Sequence, residues 1–240
     1  MIRTAIVALF LGIYTALLGP PLILYTLATR SAGPMYWVGV KGLVFITRVV
    51  GMRVHVEGRE NIPPGVCLFV ANHTSNADAP AIVGSIPRRI AIVGRKSLFD
   101  IPIVGLAFRL AKFVPMDRGH RDSALASVKM AVDYLKEGFS FLVYPEGTRS
   151  PDGRLLPFKK GSFVMAIQAG VPIVPVACSG AQRVMKKKSL VIRPGDVTVR
   201  FGTPIDVSEY TIGRRDDLAL RVYRAIAAAL PEDQKPATPS

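Results

Sequence analysis

The sequence predicts an α/β protein: a single mixed α/β domain, with a central sheet flanked by helices, preceded by an N-terminal membrane-associated helical segment. Three observations carry that class. From Thr4 to Thr29 twenty-six residues pass without a charge. Beyond Gly51 short apolar runs alternate with helical periods, and glycines stand where those helices must stop. A chain of 240 residues has room for one catalytic-sized domain plus an appendage and buries about 70% of its extended surface. The expected organisation is an N-terminal membrane anchor with interfacial helices over 1–51, an α/β domain over 52–230 and a flexible tail over 231–240.

As one helix, the uncharged stretch would reach about 39 Å, enough to cross a hydrocarbon core of about 30 Å. Gly19-Pro20-Pro21 interrupts it. A break there leaves a first piece of about 21 Å, which favours a half-immersed hairpin, and the lengths leave spanning and hairpin both open. A cleaved signal peptide fits less well, because no clean small-x-small site follows. From Gly33 to Gly51, Tyr36 and Trp37 stand first, and Lys41 and Arg48 follow two turns apart. That pattern suits either a lipid interface or an amphipathic helix packed on the domain. Arg30, Lys41 and Arg48 after the apolar run outnumber Arg3 before it, which puts the main domain on the cytoplasmic face of the cell (inner) membrane.

The expected strands are Arg53–Val56, Val66–Val70, Ile90–Val93, Lys112–Val114, Phe139–Val143, Ile173–Ala177 and Val197–Phe201. Helices are expected over Ala79–Ser85, Arg121–Lys136, Phe163–Ala169 and Asp216–Leu230, with Gly138 and Gly170 as C-terminal stops. Strands alternating with helices give layered α/β packing.

Thirty-one Lys and Arg against seventeen Asp and Glu leave a net charge of +14, which calls for polyanionic surroundings: nucleic acid, anionic lipid or a phosphorylated substrate. Cys67 and Cys178 lie in apolar runs and read as small core residues in a reducing compartment. The only histidines are His55, His73 and His120, at spacings that exclude a zinc site. The Gly-x-Ser-x-Gly elbow, the Gly-x-Gly-x-x-Gly fingerprint and the phosphate-cradling Gly-Lys-Ser loop are absent, so hydrolase, dinucleotide and nucleotide readings fall away.

Chemistry is instead placed after the strands. Val66–Val70 runs into Asn72-His73-Thr74-Ser75-Asn76-Ala77-Asp78. On one helix His73 and Asp78 would stand about 140° apart. With His73 in the loop and Asp78 opening a helix whose first turn tolerates Pro80, the carboxylate folds back to the imidazole. That pair makes a base and its orienter, able to take a proton from an alcohol without a serine nucleophile. The plain alternative is a structural histidine with Asp78 as a helix cap. Phe139–Val143 runs into Tyr144-Pro145-Glu146-Gly147-Thr148-Arg149-Ser150, again at the strand end where open α/β sheets place ligands. Arg149 offers a planar fork for phosphate oxygens and Gly147 permits close backbone approach. A third loop, Val114 to Arg118, adds a second guanidinium.

Four ordered blocks, Asn72-His73 to Asp78, Val114 to Arg118, Tyr144 to Ser150 and Val171 to Val176, resemble the glycerophospholipid acyltransferase family, and within it the bacterial lysophosphatidic acid acyltransferases. The resemblance spans about residues 51 to 180. It implies an acyltransferase domain in which His73 is the general base and Asp78 its partner. Arg118, Glu146, Gly147, Thr148 and Arg149 would bind the acceptor's glycerol phosphate. Gly94 to Phe99 resembles the family's basic segment and adds Lys96 as a phosphate contact. Where the family often has Phe, Tyr144 stands. The implied reaction moves a fatty acyl group from a thioester donor, acyl-CoA or acyl-carrier protein, to the sn-2 hydroxyl of lysophosphatidic acid, giving phosphatidic acid with no cofactor and no metal. Expected partners are anionic membrane lipid at the basic clusters, Lys186-Lys187-Lys188 among them, and acyl carrier protein, but no nucleic acid. Another lyso-lipid acceptor such as lyso-ornithine lipid suits the same chemistry, although paired arginines favour phosphate. A membrane-tethered basic nucleic-acid-binding protein lacks the aromatic interleaving it would need.

Overall fold

A computed structural model describes residues 1–117 and 121–236, without the side chain of Arg121. In chain order its helices and strands are α1 Ile2–Thr29, α2 Gly33–Val49, β1 Met52–Glu57, β2 Leu68–Ala71, α3 Asp78–Ser85, β3 Ile90–Arg95, α4 Val104–Leu110, β4 Val114–Met116, α5 Arg121–Lys136, β5 Ser140–Val143, α6 Gly161–Ala169, β6 Ile173–Ser179, α7 Ala181–Val184, β7 Gly195–Phe201 and α8 Arg215–Ala229. The strands form one sheet in the order β1-β7-β6-β2-β5-β3-β4. From β6 to β4 every pairing is parallel. β7 runs antiparallel to β6 and carries β1 in parallel.

Both faces of the sheet are covered, so β2 is apolar at every position and β5 and β6 nearly so, rather than alternating. Successive side chains of β2 divide between two cores. Leu68 and Val70 enter one with residues of α5, α6 and α8, while Phe69 and Ala71 enter the other with residues of α2 and α3. Cys67 and Cys178 are fully buried and free, as small core residues. The five parallel strands end on the same rim, where the loops after β2, β5 and β6 become neighbours.

Of the two arrangements left open at Gly19-Pro20-Pro21, the continuous helix is the one observed: α1 runs through both prolines for 28 residues. Pro20 and Pro21 cannot donate to the carbonyls one turn back, and the turns before them are packed on the rest of the molecule. Ile103 packs into the notch at Gly19, where an added methyl group would meet its side chain at 2.4 Å. Tyr14 donates to the Val38 carbonyl at 2.9 Å and Phe10 meets Phe45 at 5.4 Å between ring centres. A hairpin exists all the same, made of α1 and α2 rather than of the two halves of α1. Its outer face is apolar, with Leu9, Leu17 and Leu24 all exposed, and α1 is long and apolar enough to cross a membrane. Of the two expectations for the second segment, packing on the domain is the one α2 shows. Its inner face packs on the domain through Val40 and Ile46, and the Tyr36 hydroxyl accepts from the Ile90 amide at 3.1 Å, while Trp37 and Phe45 stay outside.

Two local expectations need correction. Lys112 is not strand: it takes a left-handed φ of 65° at the end of α4, and the strand starts two residues later at Val114. Residues 231–236 are not a loose tail. Gln234 is fully buried, its carbonyl accepts from the Leu155 amide at 2.9 Å, and Asp233 pairs with Arg183 at 3.0 Å. Residues 237–240 lie outside the described residues.

Candidate active site

β2 cannot continue past Ala71 as ordinary strand, because the Asn72 side chain takes over the pairing. Its amide nitrogen donates to the Cys178 carbonyl at 2.9 Å, and its amide oxygen accepts from the Cys178 N–H at 2.7 Å. This bidentate bond ties the strand end to β6 and releases the chain into the His73 loop. The Ser75 hydroxyl pins that loop to the Met185 carbonyl at 2.7 Å and accepts from the Ala77 amide at 3.0 Å.

Asp78 is the first residue of α3 and is wholly buried. One of its oxygens accepts from His73 Nδ1 at 2.9 Å and from the Thr74 and Ser75 amides at 2.7 and 2.8 Å. The other faces the Thr74 hydroxyl at 3.2 Å and the Cys178 thiol at 3.7 Å. Every neighbour offers a donor, so the carboxylate is held in place by its whole surroundings. Because Nδ1–H donates to it, the acceptor lone pair of the ring lies on Nε2. The sequence expectation of a loop imidazole met by a helix-opening carboxylate is the observed arrangement. The helix-cap alternative is not what forms: the two amides that Asp78 accepts from belong to the loop before α3, whose start has no side-chain cap hydrogen bond.

The second loop grips the first through its main chain. The His73 amide donates to Glu146 Oε1 at 2.8 Å, and the His73 carbonyl accepts from the Ser150 amide at 2.7 Å. The Tyr144 ring stacks on the imidazole at 4.1 Å and 22°. With main chain and ring face both fixed, the imidazole has little freedom beyond its open edge, and its side chain is 14% exposed. Burial pushes the Tyr144 phenol well above its ordinary value, with the charge of Asp78 acting in the same direction. Glu146, expected among the acceptor's contacts, is only 4% exposed and lies under the His73 main chain. Burial raises its carboxyl to about 8, and the negative charge of Asp78 adds to that. The His73 and Leu156 amides and the Lys187 charge pull the other way. Its Oε2 has no hydrogen-bond partner among the described residues.

The turn 147–149 carries the cationic side of the site. Gly147 adopts φ +69°, and an added methyl group would meet Lys159 Cε at 2.9 Å and Nζ at 3.0 Å. The left-handed backbone therefore calls for glycine, and the end of the flexible Lys159 side chain fills the space beside it. Thr148 is exposed and Arg149 half-buried, and Arg149 has no carboxylate partner among the described residues. Lys96 opens a short turn after β3 and stands 3.9 Å from Asp117. Arg118 lies outside the described residues. Sequence reasoning quoted Asn72, Tyr144 and Lys187 in its motifs and basic run, but it did not place their side chains against the His73 loop and the Arg149 turn. The signal for Lys187 was its place after a parallel strand, the same argument that located His73 and Arg149.

An acyltransferase family profile matches residues 53–179, which hold the His73 loop, the Arg149 turn and the strands that present them. The chain belongs to the acyltransferase family. A 1-acyl-sn-glycerol-3-phosphate acyltransferase of Limnanthes douglasii is 33% identical over 205 residues, covering 85% of this chain and 72% of the relative. A Salmonella typhimurium protein of the same name is 37% identical over 147 residues, covering 61% of this chain and 59% of that one. Among solved structures, the 1-acyl-sn-glycerophosphate acyltransferase PlsC of Thermotoga maritima superposes with a TM-score of 0.82 at 28% identity, covering 95% of this chain and 93% of its own.

Proposed function

We propose that this acyltransferase moves a fatty acyl group from a thioester to the sn-2 hydroxyl of 1-acyl-glycerol-3-phosphate, yielding phosphatidic acid. The single observation behind this reading is the meeting, on one rim, of a histidine oriented by a buried carboxylate and a turn bearing an arginine with no carboxylate partner among the described residues. The names carried by the relatives point to the same acceptor.

In this reading His73 Nε2 takes the hydroxyl proton as the acceptor oxygen attacks the thioester carbonyl. General-base help of this kind contributes about 10² to 10⁴ in rate, and Asp78 stabilises the imidazolium that forms. Collapse of the tetrahedral intermediate breaks the carbon–sulfur bond, and the departing thiolate recovers the proton from His73. Arg149, with Thr148, Lys96 and Arg118, receives the phosphate, whose charge of about −1.5 to −2 calls for more than one cation. Glu146 supports the reaction from beneath by holding the His73 main chain. No cofactor enters the scheme, and the donor is acyl-CoA or acyl-carrier protein.

The acceptor's own acyl chain belongs in lipid. The apolar face of α1, with Trp37 and Phe45 of α2, would hold the site at headgroup depth on the cytoplasmic face of the cell membrane, with anionic lipid as a partner of the basic surface. The test is incubation of the detergent-purified chain with labelled acyl-CoA or acyl-carrier protein and a panel of lyso-lipids. Labelled phosphatidic acid is the expected product. Acylation confined to a phosphate-free acceptor such as lyso-ornithine lipid would overturn the acceptor assignment.

A further inference from the structure

Lys187 stands in the loop between α7 and β7, on the rim shared by the His73 loop and the Arg149 turn. It is part of a basic run whose other members, Lys186 and Lys188, are exposed, while Lys187 is half-buried. Its ammonium donates to the Arg149 carbonyl and lies 3.5 Å from the Thr148 hydroxyl. An ammonium has three donors, so at least one remains for a ligand. The loop that delivers it is fixed at several points. The Met185 carbonyl accepts from Ser75, the Met185 amide bonds the Ala181 carbonyl at 3.0 Å, and the Ser189 amide closes a turn on Lys186 at 3.0 Å. Lys188 takes a left-handed φ of 63°, which sets the direction of the turn.

Across the Gly147-Thr148-Arg149 turn, the stem of Lys159 lies against Gly147. The turn is thus bracketed by two lysines, and only Lys187 among the described residues bonds the Arg149 main chain from the side of the basic run. An ammonium on that carbonyl neutralises a dipole that would otherwise present negative charge beside an incoming anion, and it fixes where the Arg149 side chain departs from the backbone.

We propose that Lys187 is a positioning residue for the acceptor's phosphate: it holds the Thr148–Arg149 turn and adds its own charge to that site. The inference rests on the phosphate-bearing acceptor proposed above. Lys187→Met removes the charge and keeps most of the stem's volume, and Lys187→Arg restores a charged donor.

The full chain in detergent is assayed with 1-acyl-glycerol-3-phosphate and a labelled acyl thioester, and calorimetry measures binding of glycerol 3-phosphate itself. Lys187→Met should raise the acceptor KM about tenfold and weaken glycerol 3-phosphate binding by a similar factor. Its kcat and the donor KM should stay within about threefold, and Lys187→Arg should recover most of the loss. Equal rises in donor and acceptor KM, unchanged glycerol 3-phosphate binding, or an Arg variant no better than Met would overturn the assignment. A wild-type chain that binds glycerol 3-phosphate but does not acylate the lyso-lipid would sink the proposed function alone. Failure of the wild type to bind it would sink the role of Lys187.

Discussion

Asp78, at the end of the loop after β2, and Glu146, in the loop after β5, are both buried acids bonded to the same residue, and their surroundings differ in kind. Asp78 meets donors at both oxygens: the His73 ring, two main-chain amides, the Thr74 hydroxyl and a thiol. Glu146 receives the His73 amide at one oxygen, while its other oxygen has no partner among the described residues and its carboxyl is raised to about 8. Burial alone does not decide what a carboxyl group does. A charge withdrawn from water persists where donors replace the water, and a proton is retained where they do not. The first loop is therefore built around a charge that acts on the His73 ring, and the second around a neutral acceptor that acts on the His73 backbone.

The largest expected effects test the charged side. His73→Ala should lower turnover about 10²- to 10⁴-fold, in line with loss of a general base. Asp78→Asn should come close to it, because the amide turns an NH₂ toward groups that are themselves donors and releases the tautomer of His73. The measurement is kcat on the phosphate-bearing lyso-lipid, with circular dichroism to confirm that each variant is folded. Near-normal turnover in the Asn variant would mean that the bonds to the Thr74 and Ser75 amides, and not the charge, are what Asp78 supplies.

An intermediate effect belongs to the cationic turn that the second loop also carries. Arg149→Ala should raise the KM for the phosphate-bearing acceptor by about 10- to 100-fold, the value of one or two charge-assisted hydrogen bonds. For a phosphate-free acceptor the change should be slight. Steady-state kinetics on the two acceptors separates the cases, and an equal rise for both would place Arg149 in the structure of the turn rather than in phosphate recognition.

The contrast between the loops also explains what the sequence disclosed. His73 and Asp78 were legible because strand, loop and helix start are written in residue types: an apolar run, then Asn-His-Thr-Ser, then Asp before Pro80. The strand pattern located all seven strands, since Val, Ile and Phe runs between Gly and Pro have few other uses. The protonation state of Glu146 was not legible, because it depends on the donors that reach each oxygen after folding. Lys187 was hidden inside a run of three lysines that reads as solvated charge, although the end of a parallel strand placed it beside His73. α4 was missed because Ile101 to Leu110 is apolar on nearly every side and has no helical period to detect. The packing of α1 against Ile103 at Gly19 was not legible either, because the two residues stand more than eighty positions apart in sequence.

The smallest expected effect sharpens the comparison from the neutral side. In the folded chain Glu146 keeps its proton up to about pH 8, whereas an unfolded glutamate releases it near the ordinary value of 4.5. Between those values the folded state holds more protons than the unfolded state. The contribution is therefore fully present below about pH 4.5 and is lost progressively as the pH rises through 8. Glu146→Gln keeps an oxygen for the His73 amide and cannot ionise, so it imitates the protonated acid. Its activity near neutrality should stay within about threefold of wild type, against the large loss expected for Asp78→Asn. Melting temperatures at pH 5.5 and pH 8.5 supply the decisive measurement. The wild type should lose more stability than the Gln variant between them, and parallel losses would show that Glu146 is already ionised at the lower pH and that both loops hold their carboxylates in the same charge state.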